Sequence, residues 1–332
     1  MKRTYKYLTA LLILAMAAGG CSKDPSTAPR GNVITFGVRM AEETEATETK
    51  AASQAGQYTA SDLAELDEFT VTGFDVSDKI IDNEKVCKMG TGPTWQLEKN
   101  PKVWVDGHTM TFWASANLPS SGVSATLGSI ESAGLNVTEI PSDATDQFDP
   151  LVGYYSGSGE KGKATITFYH PMTAVQFETG SLGSPQKVAS INSVTIQGVH
   201  KKGTATIKAV PSIPTITWEP SEKTNVSGSF SGTGTEGKSA VPFLIIPQNL
   251  SDDPVTIKVN VDLVGEGGNK EMTAMLETGE WKAGFIYTYI LDYAVVSPMD
   301  MTLTVTLADW QILKNKNGGE VFDVTFGTKP TS

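Results

Sequence analysis

The chain of 332 residues is 39% hydrophobic and 19% charged, with 32 Gly, 17 Pro and 2 Cys, a composition that excludes a disordered tail, a collagen-like fibre and a disulfide scaffold. Its 37 acidic residues outnumber 26 basic ones, and the formal charge of -11 argues against a nucleic-acid binder, whose affinity rests on basic groups facing phosphate. At roughly 100–200 residues per domain, the length suits two domains with separate cores.

Lys2, Arg3 and Lys6 precede the apolar run Tyr7 to Ala18, which is short of the roughly 20 residues that a membrane-spanning helix needs. The run ends in Ala18-Gly19-Gly20 before Cys21, so residues 1–20 read as a secretory leader. The arrangement resembles a bacterial lipobox, in which Cys21 becomes the acylated first residue; simple secretion with a Cys21 thiol is the alternative. Loss of the leader leaves 23 basic against 37 acidic residues, a formal charge of -14. With Cys21 acylated, Cys87 reads as a small core residue and no intrachain disulfide is expected.

Residues 22–30 form a polar, Pro-containing tether. In the strand expected over 33–40, Ile34, Phe36, Val38 and Met40 share one face at period two. Residues 41–50 hold four glutamates and no large apolar residue; this reads as a solvated, protease-sensitive linker ending at Lys50. Beyond it the pattern is β almost throughout. Phe69 to Val76 is strand-like, and Val103 to Ala114 reads as two runs around the Asp106-Gly107 hairpin signal. Helix is expected only over 61–66 and 129–135, and Gly153 to Lys163 reads as a flexible connection. Further strands are expected over 164–168, 174–177, 191–199, 204–207, 215–218, 241–246, 255–261, 286–291, 301–307 and 321–326. The expectation is an all-β chain of two sandwiches, the first over 51–163 with strand 33–40 added to it, the second over 164–332.

Signals for catalysis fail on context. Gly157 to Gly162 and Gly232 to Gly237 match G-x-G-x-x-G, but each leads into strand-like sequence rather than a helix and each holds a Glu, so both read as turns. His108, His170 and His200 lack zinc-ligand spacing, and His108 and His200 read as exposed. Asp143, Asp146 and Asp149 recur every third residue as Ca2+ ligands could, yet without a central Gly or closing Glu they read as a solvated loop. No catalytic residue, metal or cofactor is expected. A glycan-binding surface lipoprotein remains an alternative, with Trp95, Trp104, Trp113, Trp218, Trp281 and Trp310 as possible stacking platforms; a secreted hydrolase is a third.

A family resemblance rests on an ordered set of pieces. They are Cys21 with Ser22-Lys23-Asp24, a lone strand, an acidic linker ending Thr49-Lys50-Ala51, Trp104 to Ala114, Phe168 to Phe177, Ile191 to Ile196, Leu244 to Gln248, Trp281 to Tyr289, and Ala308-Asp309-Trp310. Together they resemble the fimbrillin precursors, the type V pilins of Gram-negative anaerobes. The resemblance implies two tandem transthyretin-like Greek-key sandwiches. It also implies a lipidated precursor on the outer membrane, and a trypsin-like protease that cuts beyond the first strand, at Lys50 or alternatively Arg39. Polymerisation with other fimbrial subunits follows, by donor-strand exchange into the groove left by Ile34, Phe36, Val38 and Met40, and supports adhesion at the cell surface. Two C-terminal stretches could be donors: Leu303, Val305 and Leu307, which alternate with threonines, and Phe322, Val324 and Phe326. Burying three such side chains would contribute about 5–9 kcal/mol before ordering costs. The competing possibility is that 321–326 pairs within its own sandwich.

Overall fold

The computed structural model describes residues 32–41, 66–90, 92–158, 162–180, 188–209, 214–231, 237–239, 241–265 and 269–293, and the backbone of 301–309 and 323–325. The leader, Cys21, the linker with Lys50, residues 61–65 of the helix expected over 61–66, Trp310, Phe322 and Phe326 lie outside the described residues.

The first part comprises β1 (Thr35–Met40), β2 (Glu68–Asp75), β3 (Asp78–Lys88), β4 (Trp95–Leu97), β5 (Met110–Ala116), β6 (Val123–Thr126), β7 (Ser132–Val137), a 3-10 turn (Ala144–Asp146), β8 (Leu151–Gly157) and β9 (Lys163–Tyr169). The rest comprises β10 (Thr173–Thr179), β11 (Val188–Lys208), β12 (Thr215–Ser231), β13 (Lys238–Ser239), β14 (Phe243–Ile245), β15 (Gln248–Asn249), β16 (Val255–Leu263), β17 (Asn269–Leu276), β18 (Glu280–Trp281), β19 (Phe285–Tyr293), β20 (Met301–Asp309) and β21 (Asp323–Thr325). The chain is all-β as expected, with no α-helix among the described residues.

Seven strands close a barrel in the order β1-β4-β3-β2-β5-β8-β9, where the sequence pattern suggested a two-layer sandwich. Every junction is antiparallel except the last, where β9 meets β1 in parallel. The core inside includes Ile34, Phe36, Phe69, Trp95, Leu97, Trp104, Phe112, Ile166 and Phe168, all buried. The aromatic rings meet edge to face, the geometry that their quadrupoles favour: Phe36 on Phe112 at 5.4 Å and 85°, and Phe69 on Phe168 at 5.6 Å and 81°.

A sheet of twelve strands forms the other body, in the order β17-β16-β11-β12-β13-β10-β19-β20-β21, with β14 on β10 and the β6–β7 hairpin on the far half of β11. It encloses a second core in which Phe177 stacks on Tyr289 and meets Phe243 edge on. The Tyr289 hydroxyl accepts from Trp281 Nε1 at 2.9 Å, and burial raises the pKa of that phenol. Burial also raises Tyr287, to about 12. The two bodies do not divide the chain at one point: β9 begins at Lys163 yet closes the barrel, while β6 and β7, from earlier in the chain, join the larger sheet.

Several local expectations are corrected. Residues 132–137 are strand β7, not helix, because Ala133, Leu135 and Val137 alternate into the second core while the backbone pairs with Gly203 to Lys208. Val103 does not pair across the Asp106-Gly107 turn; it bridges Val33, the Trp104 N–H donates to Asn32 O, and the Trp104 ring enters the barrel. The runs 191–199 and 204–207 form a single strand, β11, which bulges between Gln197 and Val199 at Gly198, with φ +90. The first part of the flexible connection expected over 153–163 belongs to β8, Leu151–Gly157, and Gly153 serves packing: a Cβ there would lie 2.4 Å from Ile166 Cγ2. Cys87 is buried at the end of β3 as expected, but it is disulfide-bonded, where the sequence suggested no intrachain disulfide.

Candidate functional site

The feature that stands apart in the barrel is β1. Its side chains alternate as the sequence suggests: Ile34, Phe36 and Met40 are buried, and Val38 is half-buried against the same core. The neighbours of Phe36 are Phe69 at 6.0 Å and Phe112 at 5.4 Å, both nearly perpendicular. The backbone, by contrast, is held unevenly. Toward β9, all six residues have partners, from Thr35 opposite Lys163 to Met40 opposite Phe168, and the Ala41 N–H continues the ladder to Phe168 O at 2.8 Å. Toward β4 there is a single pair, Phe36 opposite Trp95. A short bridge outside β1 adds the Ile34 N–H donated to Lys102 O at 2.8 Å. One edge of β1 is therefore a full ladder and the other is close to open.

Arg39, the alternative cleavage residue, is exposed on β1, and its Nε donates to Thr167 Oγ1 at 2.9 Å. Its peptide bond lies inside the β9 ladder, so a protease would have to unfold β1 locally to reach it. The pairing of β1 with Lys163, Thr165 and Thr167 of β9 escaped the sequence reading. The alternation of β9 was legible, but nothing in it marks a parallel partner far away in the chain.

The two donor candidates differ in placement. β20, which carries Leu303, Val305 and Leu307, lies between β19 and β21 and pairs with β19 along all nine of its residues. β21, which carries Val324, ends the sheet and pairs with β20 over three residues. Freeing β20 would break a long ladder; freeing β21 would break a short one.

The remaining polar candidates resolve into structural roles. Asp143 caps the 3-10 turn, its carboxylate accepting from Thr145 N at 2.9 Å and Thr145 Oγ1 at 2.7 Å, and these bonds lower its pKa. Asp146 is exposed, and Asp149 is buried 2.8 Å from His170 Nδ1. The three aspartates do not converge, and no metal-ligating cluster is found among the described residues. His108 is exposed and reaches Asp75 at 2.8 Å. His200, expected to be exposed, is largely enclosed at the β11 bend, with Nε2 2.6 Å from Asp253, which also pairs with Lys223. Burial, and then the Lys223 charge, lower the His200 pKa. Trp95, Trp104, Trp113 and Trp281 are buried, so these four offer no open stacking face for a sugar, and Trp218 is half-buried with Nε1 donating to Pro171 O at 2.7 Å.

A family model described as fimbrillin-like matches residues 39–310. No curated protein matches the chain. Among solved structures, a proposed cell adhesion protein from Bacteroides ovatus is 17% identical, with 87% of this chain and 100% of that one covered and a TM-score of 0.53. The fimbrial anchor protein Mfa2 from Porphyromonas gingivalis is 11% identical, over 84% of this chain and 96% of its own, with a TM-score of 0.38. The tip fimbrial protein Mfa3 of the same organism is 9% identical, over 74% and 94%, with a TM-score of 0.41.

Proposed function

The chain belongs to the fimbrillin-like family, and from that premise we propose that it is a structural, non-catalytic subunit of a cell-surface fimbria that polymerises by strand exchange and supports adhesion. The observation that carries this reading is the uneven hold on β1, whose apolar side chains complete the barrel core while only its β9 edge is fully laddered. Losing β1 would open a slot lined by Phe69, Trp95, Phe112 and Phe168. An extended segment could refill that slot with main-chain bonds to β9 and side chains in alternate pockets.

In this reading the precursor is exported through residues 1–20 and acylated at Cys21, which anchors it to the outer membrane. A trypsin-like protease then cuts after Lys50, in the acidic linker, rather than after Arg39 within the ladder. Each cysteine sulfur makes one such bond, so within one chain a lipid on Cys21 and a Cys21–Cys87 disulfide exclude each other. Donors come from Leu303, Val305 and Leu307 or from Phe322, Val324 and Phe326, and the short β21 ladder favours the latter. N-terminal sequencing and gel analysis of protein taken from the cell surface test the reading. A start at Ala51 with a ladder of oligomers supports it; a monomer that keeps Cys21 as its first residue overturns it.

A further inference from the structure

The sequence around β1 recurs in part beyond residue 323. Residues 34–39 read Ile-Thr-Phe-Gly-Val-Arg, and residues 324–329 read Val-Thr-Phe-Gly-Thr-Lys. Thr, Phe and Gly are identical, the first position stays aliphatic, the fifth stays β-branched and the last stays cationic. We propose that Val324 to Lys329 of a second copy of this chain takes the place of β1, parallel to β9 and in β1's own register, with Thr325 opposite Lys163 and Phe326 opposite Ala164. This rests on the strand-exchange reading and specifies its partner and alignment.

Every matched position has a reason in the slot. Phe36 is fully enclosed between Phe69 and Phe112, so the same ring at 326 finds the same perpendicular partners. Thr35 Oγ1 donates to Gly162 O at 3.2 Å, a bond that Thr325 repeats. A Cβ at Gly37 would lie 2.6 Å from Lys163 Cε, the movable end of that side chain, and 3.3 Å from Thr165 Oγ1, and Gly327 avoids both contacts. Val38 is only half-buried, so a hydroxyl at 328 keeps access to water. The Lys329 ammonium can donate to Thr167 Oγ1 as Arg39 Nε does.

Pro330 falls where Met40 stands. Because the Ala41 N–H donates to Phe168 O, alternation along a strand points the Met40 N–H away from β9. Pairing with β4 ends at Phe36, so a proline at this place removes no ladder bond on either side. A chain that carries both the slot and a related plug makes a head-to-tail contact, which builds a filament where the rotation between copies does not close into a ring.

The test uses full chains carrying Cys87→Ser, so that no native disulfide holds β1 in place, each with one further substitution, mixed in pairs and subjected to limited digestion with a trypsin-like protease. The mixture is then oxidised and run on a non-reducing gel. Lys163→Cys mixed with Thr325→Cys places two cysteines at the spacing of paired strands, within disulfide reach, and should give an interchain dimer. That dimer should be lost with Lys163→Cys and Thr328→Cys, about 10 Å out of register at some 3.3 Å per residue. A stronger cross-link from Thr328→Cys or Phe322→Cys overturns the register while strand exchange stands. Oligomers without a cross-link at any of the three positions overturn the choice of plug, and wild-type chains that never oligomerise overturn the underlying reading as well. Gly327→Leu, in a chain with unchanged thermal unfolding, should lose the oligomers; an unchanged yield overturns the glycine match.

Discussion

β1 and β5 are both walls of one barrel, and each places a phenylalanine in its centre, Phe36 and Phe112, in contact at 5.4 Å. They are held very differently. β5 pairs with β2 over six residues on one side and with β8 over seven on the other. It is also covered on its outer face: Phe112 and Ala114 point into the barrel, while Trp113 enters the second core and donates Nε1–H to Ile130 O at 3.2 Å. β1 has one complete ladder, one single pair, and Arg39 facing water. Depth of burial therefore does not say how removable a strand is. Equal core burial can accompany a strand locked by two ladders and two cores, or one held along a single edge.

Mutations can break or sharpen that contrast. Phe112→Ala should cost about 3–5 kcal/mol, both in the full chain and after digestion has removed β1. Phe36→Ala should cost a similar amount in the full chain by urea unfolding, and nothing in the digested chain. If Phe36→Ala weakens both forms alike, β1 is not the segment that leaves. Gly153→Ala tests the β8–β9 wall, which in this scheme stays intact in both forms; forcing a methyl against Ile166 and Phe168 should cost about 1–3 kcal/mol before and after digestion.

The larger sheet offers a pH test away from β1. Burial and Lys223 lower the His200 pKa in the folded protein, so folding favours the neutral ring. Its contribution is complete above the unfolded value of about 6.5. It declines as pH falls through that value, while the unfolded chain takes up more protons, and levels off below the lowered folded value. Unfolding experiments at several pH values should show this slope in the full chain and lose it in His200→Gln; persistence of the slope would assign it elsewhere. The smallest effect belongs to the cross-strand pair of Lys258 and Glu271 at 2.9 Å, where Lys258→Ala should change stability by at most about 1 kcal/mol.

Alternation made most of the edges and cores legible. Ile34, Phe36, Val38 and Met40 could be placed on one face, and β10, β16, β19 and β20 fell where β-branched and aromatic residues cluster. β3 was missed because Asp78–Lys88 carries charges on its exposed face and few apolar residues. β7 was misread as helix because six residues with a Gly and a Ser carry too few periods to separate 2.0 from 3.6. The His–Asp pairs could not be anticipated: His200 and Asp253 are remote in sequence and meet only where β11 bends.

The sequence by itself determined the β class, the acidic charge, the apolar face of β1 and the presence of candidate replacement segments at the other end of the chain. These follow from composition and from a side-chain period of two, which need no knowledge of partners. The tertiary structure alone decided that β1 lies parallel to β9, that its other edge is nearly open, and that β21 is held more lightly than β20. Pairing depends on which backbone edges meet across more than a hundred residues, and no local pattern encodes that meeting.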